Sequence, residues 1–127
     1  MQRRDINAAD APAPAGPYTQ AIEVTGTNRT LYLSGQVGIA ADGSVPESAE
    51  AQSTLAWRNL QSQLRAAGME IGNLVKTTTI VCNPADLALV RAGRVAVLGT
   101  HQPASTLIIG GLANPAWKVE VEGIAVA

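Results

Sequence analysis

Near the C-terminus the segment Trp117 to Val126 alternates strictly, with Lys118, Glu120 and Glu122 at one set of positions and Trp117, Val119 and Val121 at the other. In a strand this period of two puts the carboxylates on one face and the apolar side chains on the opposite one. Two like charges two residues apart on one face raise one another's pKa, and a carboxylate brought nearer neutrality can act as a general acid or base. The same alternation is also how an antiparallel sheet ordinarily meets water, with Lys118 as a partial counter-charge. Pattern alone leaves both readings open. His101 and Cys82 read as structural, because nothing places an acid or base beside either to form a nucleophile pair.

At 127 residues the chain can bury a proper core without disulfides or metals and has no room for a second domain, so residues 1–127 read as one domain. With two Trp, two Tyr and no Phe in a hydrophobic content of 46%, that core must be built from Ala, Val, Leu and Ile. A charged content of 15% is low for a surface wholly in water and points to buried subunit interfaces. The basic residues, from Arg3 to Lys118, are scattered and the net charge is -1. Nucleic acid is therefore not expected as a main partner, since affinity there comes from clustered cations on phosphates. A lone cysteine makes no internal disulfide, and one His with one Cys builds no zinc site. No apolar stretch follows Arg3-Arg4 and no run approaches spanning length, so no signal peptide and no membrane contact are expected, and the location expected is cytoplasmic.

These residues need elements to hold them. The Ala/Pro-rich stretch 8–17 reads as an extended arm. Tyr18 to Val24 and Arg29 to Val37 have strand composition and are joined by Thr25-Gly26-Thr27-Asn28, which predicts a hairpin whose second strand ends at Ser34-Gly35. Ser48 as N-cap, Glu50 in the first turn and Gly68 as terminator frame a helix to Ala67, with Ala56, Trp57, Leu60 and Leu64 at three- and four-residue spacing. Asn73 to Cys82 is β-branched and apolar, a strand central to a sheet, and Asn83-Pro84 stops it. Ala85 to Leu98 reads as a second helix, with Leu87, Val90, Arg94 and Val97 along one side, Arg91 on its shoulder, and Gly93 weakening it by roughly 1 kcal/mol. Thr106 to Ile109 and Trp117 to Val126 complete the chain as a hairpin with a long loop. The order is β-β-α-β-α-β-β: an α+β sandwich with two helices on one face of a mixed sheet, whose other face needs a partner.

Read in this order, several strings together resemble the reactive-intermediate deaminase (Rid) family, also called YjgF-like or L-PSP endoribonuclease. They are Gly16-Pro17-Tyr18-Thr19-Gln20, Leu33-Ser34-Gly35-Gln36, Ala66-Ala67-Gly68 followed by Leu74-Val75-Lys76-Thr77-Thr78, and Pro103-Ala104-Ser105 with Lys118-Val119-Glu120-Val121-Glu122-Gly123-Ile124-Ala125. No single string is specific; the ordered set covers almost the whole chain. The resemblance implies a chorismate-mutase-like fold and a homotrimer with a central barrel and three intersubunit clefts. It also implies hydrolysis of enamine or imine intermediates, such as 2-aminoacrylate, to a 2-keto acid and ammonia, with no metal or organic cofactor.

Position by position, Tyr18 matches the family's cleft tyrosine, Ser34 and Gly35 the pair that meets the ligand, and Glu120 the carboxylate that orients water. Two departures accompany the matches. Ser105 stands where deaminating members carry an arginine that holds the substrate carboxylate in a bidentate pair, and Leu107 stands where a cysteine is expected. Where many members have an asparagine after a valine on the second helix, this chain has Val90-Arg91, so Arg91 either supplies the cleft's cation from the helix side or points to solvent. The reading is a small-carboxylate or imine site, with Glu120 and Ser105 as catalytic candidates and Tyr18, Ser34, Gly35, Arg91 and Leu107 as ligand-binding ones. Its substrate is expected to differ from 2-aminoacrylate. The alternative is a non-catalytic metabolite-binding module using the same cleft. A ribonuclease has least support, for want of a basic patch, stacking aromatics or a metal site.

Overall fold

The computed structural model describes residues 1–127. Its strands are β1 (Gln2–Ile6), β2 (Ala21–Thr25), β3 (Thr30–Val37), β4 (Leu74–Val81), β5 (Ala104–Ile109) and β6 (Val119–Val126), and its helices are α1 (Ala49–Ala66) and α2 (Leu87–Leu98). The main sheet has the order β3-β6-β4-β5, with β6 antiparallel to both neighbours and β4 parallel to β5. It is a mixed sheet with both helices on one face, the architecture expected from the sequence.

Helix α1 forms where its signals lie. The Ser48 side chain accepts from the Ala51 N–H at 3.1 Å, one of the four donors that a helix start leaves without a partner. Gly68, at φ +71°, takes the left-handed turn that ends it. Along its inner face Ala56, Trp57, Leu60 and Leu64 are fully buried against Leu74, Val81, Val119 and Val121 of the central strands. Gln52 pins the start of β6 to this helix: its side chain accepts from Lys118 N at 2.8 Å and donates to the carbonyls of Pro46 and Ala116. Ser48→Ala is expected to cost about 1 kcal/mol, read as a lowered denaturant midpoint at unchanged m-value.

Gly93 has a packing role that its helix propensity hides. A Cβ there would stand 2.6 Å from the Ser53 Cβ and 2.7 Å from the Thr54 backbone nitrogen. At this crossing Ser53 Oγ donates to the Val90 carbonyl at 2.7 Å, so α1 and α2 touch backbone to backbone.

Both expected hairpins are absent. β2 pairs with β1, a strand not foreseen in the polar segment Gln2–Ile6, and together they form a separate two-stranded ribbon. β3 pairs with β6 instead. At the C-terminus β5 and β6 are not neighbours, because β4 lies between them. The chain crosses from β4 through α2 to a parallel β5, and residues 110–118 then carry it back over β4. Ser34-Gly35 does not end β3 either: the strand runs on to Val37 and the pair makes a register shift between Leu33 and Gln36.

The sheet face away from the helices is open. Tyr32 is 77% exposed there, and along the edge strand β5 Leu107, Ile108 and Ile109 are each more than two-fifths exposed. No helix is long and apolar enough to cross a membrane.

Candidate functional site

A cavity of about 270 Å³ opens where the N-terminal arm, both helices and β5 meet. Tyr18, Arg91, Ser105 and Leu107 line it, together with Trp57 from α1, Thr79 from β4, and Val90 and Arg94 from α2. Four of the seven candidate residues are therefore gathered in one place. Thr19 ties the arm to the edge of β5: its hydroxyl donates to the Gln102 carbonyl at 3.0 Å, and it bridges to Ala104 in parallel fashion. Tyr18 sits beside it, and its hydroxyl oxygen accepts from the Ala15 N–H at 3.2 Å, which leaves the phenolic proton free for another acceptor.

Arg94 is a cavity residue that no motif in the sequence marks. From α2 its Nη2 donates to Ser105 Oγ at 3.2 Å and to the Pro17 carbonyl at 3.4 Å, and its guanidinium carbon lies 5.9 Å from the centre of the Trp57 ring. Burial, with a smaller push from the charge of Arg91, holds its pKa below the ordinary guanidinium value; the group remains a cation. No carboxylate compensates it. The chain's two ion pairs, Arg3–Asp5 and Arg4–Glu23, lie in the β1–β2 ribbon, and no Asp or Glu lines the cavity. Arg91, one turn earlier, is at the exposed rim, and its side chain makes no hydrogen bond or ion pair within the chain. The signal available in the sequence was an arginine on the inward side of a helix otherwise lined by Leu87, Val90 and Val97.

Ser105 is fully engaged. Its hydroxyl shares a 2.8 Å bond with Thr77 Oγ1, reaches the Pro103 carbonyl at 3.2 Å, and accepts from Arg94. With Thr77 as donor to Ser105, the serine proton goes to Pro103 and the remaining lone pair faces the guanidinium.

Ser34, Gly35 and Glu120 do not join the cavity of the same chain. Ser34 lies in a groove on the open sheet face with Tyr32, Lys76, Thr78 and Glu122. Glu120, half-buried on β6, lies across Gly35, where any Cβ would run into its carboxylate. A side chain at position 35 would have to displace the flexible end of Glu120, so the glycine lets that carboxylate lie over the irregular part of β3. The counter-charge expected of Lys118 is absent, since its Nζ donates to the Glu47 carbonyl at 2.6 Å instead.

A donor-rich, acid-free cavity beside an edge strand, with two helices over a mixed sheet, is the arrangement this α+β chain presents. The sequence profile of the family described as Endoribonuclease L-PSP matches residues 8–127, and the chain belongs to that family. It is 34% identical over 126 residues to the mouse 2-iminobutanoate/2-iminopropanoate deaminase, a match that spans 98% of this chain and 91% of that protein. Against the protein of the same name from Escherichia coli K12 it is 32% identical over 127 residues, covering 97% of each. Among solved structures, the Rid-family protein YyfB of Yersinia pestis, itself described as of unknown function, superposes with a TM-score of 0.84 at 30% identity over the full length of both chains. The YjgF gene product of E. coli gives 0.72 at 32% identity, over 97% of this chain and 98% of that one.

Proposed function

We propose that this chain hydrolyses imines or enamines of 2-keto acids other than 2-aminoacrylate, with the substrate carboxylate held at Arg94. The observation that carries the reading is the half-buried guanidinium of Arg94 in a cavity without any acid. A desolvated cation lacking a counter-ion favours an anionic ligand strongly, because the ligand supplies the compensation the chain withholds. The family relatives named as 2-iminobutanoate/2-iminopropanoate deaminases support the same substrate class.

The chemistry asks little of the protein. An imine carbon is already electrophilic, so a held carboxylate, a placed water and proton transfer suffice. Water adds to the carbon of the C=N bond while a proton goes to nitrogen; the carbinolamine then breaks its C–N bond, releasing ammonia and leaving the keto acid. Arg94 holds the carboxylate, and Ser105 is a positioning residue that receives one Arg94 N–H and fixes the fork. Tyr18 offers its free phenolic proton to the substrate. Glu120 orients the water, but in one chain it stands on the other sheet face.

The reading therefore includes a homotrimer in which Ser34, Gly35 and Glu120 of one copy complete the cavity of the next. The open sheet face and the apolar exposed edge Leu107–Ile109 support such an assembly. Light scattering is expected to give three times the 13.1 kDa of one chain. A second reading, a metabolite-binding module without turnover, is favoured by the separation of Glu120 from the cavity within the chain. Ammonia release from imines generated in situ by an amino-acid oxidase separates the two. Hydrolysis by the wild type that disappears in Glu120→Ala supports the enzyme, and a silent wild type overturns it in favour of the module.

A further inference from the structure

We infer that the preferred ligands carry a second carboxylate, that is, that the cavity selects imines and keto acids derived from acidic amino acids. The inference rests on the site proposed above and names its substrate class. Two arginines line this one cavity, Arg94 inside and Arg91 at the rim, and neither has an acidic partner in the chain. They stand three residues apart on α2, a spacing that puts both on one helix face with Cβ atoms about 5–6 Å apart. Their charges are close enough for Arg91 to act on Arg94. A monocarboxylate neutralises one guanidinium and leaves the other cation unpaired. A short dicarboxylate gives each fork its own anion.

The rest of the lining fits the same ligand. The apolar part of the same lining includes Val90, Trp57 and Leu107, suited to the methylenes that join two carboxylates. The indole N–H of Trp57, another residue of the lining, is buried without a partner and adds one unpaired donor. Among the chain's own lining residues a cation or an amine-bearing side chain finds no carboxylate acceptor, and a neutral alkyl tail leaves Arg91 unused.

Calorimetric titration of the full-length chain with 2-oxoglutarate and with 2-oxobutanoate reads the preference directly. The expected result is binding of 2-oxoglutarate at least about tenfold tighter, the worth of one further charge-assisted contact. In Arg91→Ala that ratio is expected to shrink to less than about threefold, with Arg91→Lys keeping part of it, because a lysine retains the charge without the fork. A merely structural Arg91 would leave the ratio untouched. Equal affinities in the wild type, a ratio that survives in Arg91→Ala, or inorganic phosphate binding as tightly as 2-oxoglutarate would each overturn the inference.

Oxidase-generated imines of glutamate and of 2-aminobutyrate keep the two proposals apart. Turnover of both at similar kcat/KM removes the dicarboxylate preference and leaves the hydrolase standing. Tight, selective 2-oxoglutarate binding without turnover of either imine removes the hydrolase and keeps the selective site.

Discussion

Arg94→Met is expected to weaken binding of small 2-keto acids by about a hundredfold or more, the usual consequence of removing one member of a buried charge pair. The same substitution is expected to leave the melting temperature unchanged or raise it. Methionine keeps much of the apolar stem's packing on Trp57, while the desolvated, uncompensated charge is gone. Binding and stability moving in opposite directions is the signature of a cation kept for a ligand. A structural arginine would lose both together, since its bonds to Ser105 and Pro17 would then count toward folding. Calorimetric titration and thermal melts on the two proteins check the pair of effects.

Gly93→Ala is expected to destabilise the fold by about 2 kcal/mol, although alanine is the better helix former by about 1 kcal/mol. The sign decides which effect wins. On propensity the substitution stabilises; on geometry the new methyl meets the Ser53 Cβ at 2.6 Å and the Thr54 backbone nitrogen at 2.7 Å, and the latter cannot rotate away. The helices must part, and α2 carries Val90, Arg91 and Arg94 to the cavity, so ligand affinity is expected to fall as well. Denaturant unfolding with a common m-value reads the first effect and titration the second. A more stable Gly93→Ala would mean that α1 and α2 are not held in contact at this crossing.

What was legible in the chain was what local chemistry controls. The Ser48 cap, the Gly68 terminator and the spacing of Trp57, Leu60 and Leu64 fix α1 without reference to anything distant, and the Thr/Val/Ile run fixes β4 as an interior strand. Strand pairing is a tertiary matter and was not legible. The Gly110-Gly111 and Asn114-Pro115 turns looked like a hairpin connection, yet the segment is long enough to step over β4, and a parallel β5 is what α2 as a crossover permits. β1 has no signature in the sequence because Gln2–Ile6 is polar and is held by its ladder with β2 rather than by burial.

The site divides in the same way. Tyr18, Arg91, Ser105 and Leu107 were identified from short strings, and the fold gathers them in one cavity. Period alone puts Arg94 on the helix's inner stripe, and the meaning of a charge at an apolar position lies in Ser105 and Trp57 beside it. Ser34, Gly35 and Glu120 form a second group across the sheet, and the contact of Glu120 with Gly35 explains their association in one chain better than any shared pocket does.

The most direct measurement is the rate at which an oxidase-generated imine disappears, followed by trapping as the semicarbazone, with wild type and with Arg94→Met under identical conditions. The predicted result is acceleration by the wild type and a return to the spontaneous rate with Arg94→Met, which remains folded by circular dichroism. An Arg94→Met protein that hydrolyses the imine as fast as the wild type would contradict the assignment of this cavity as the seat of the reaction.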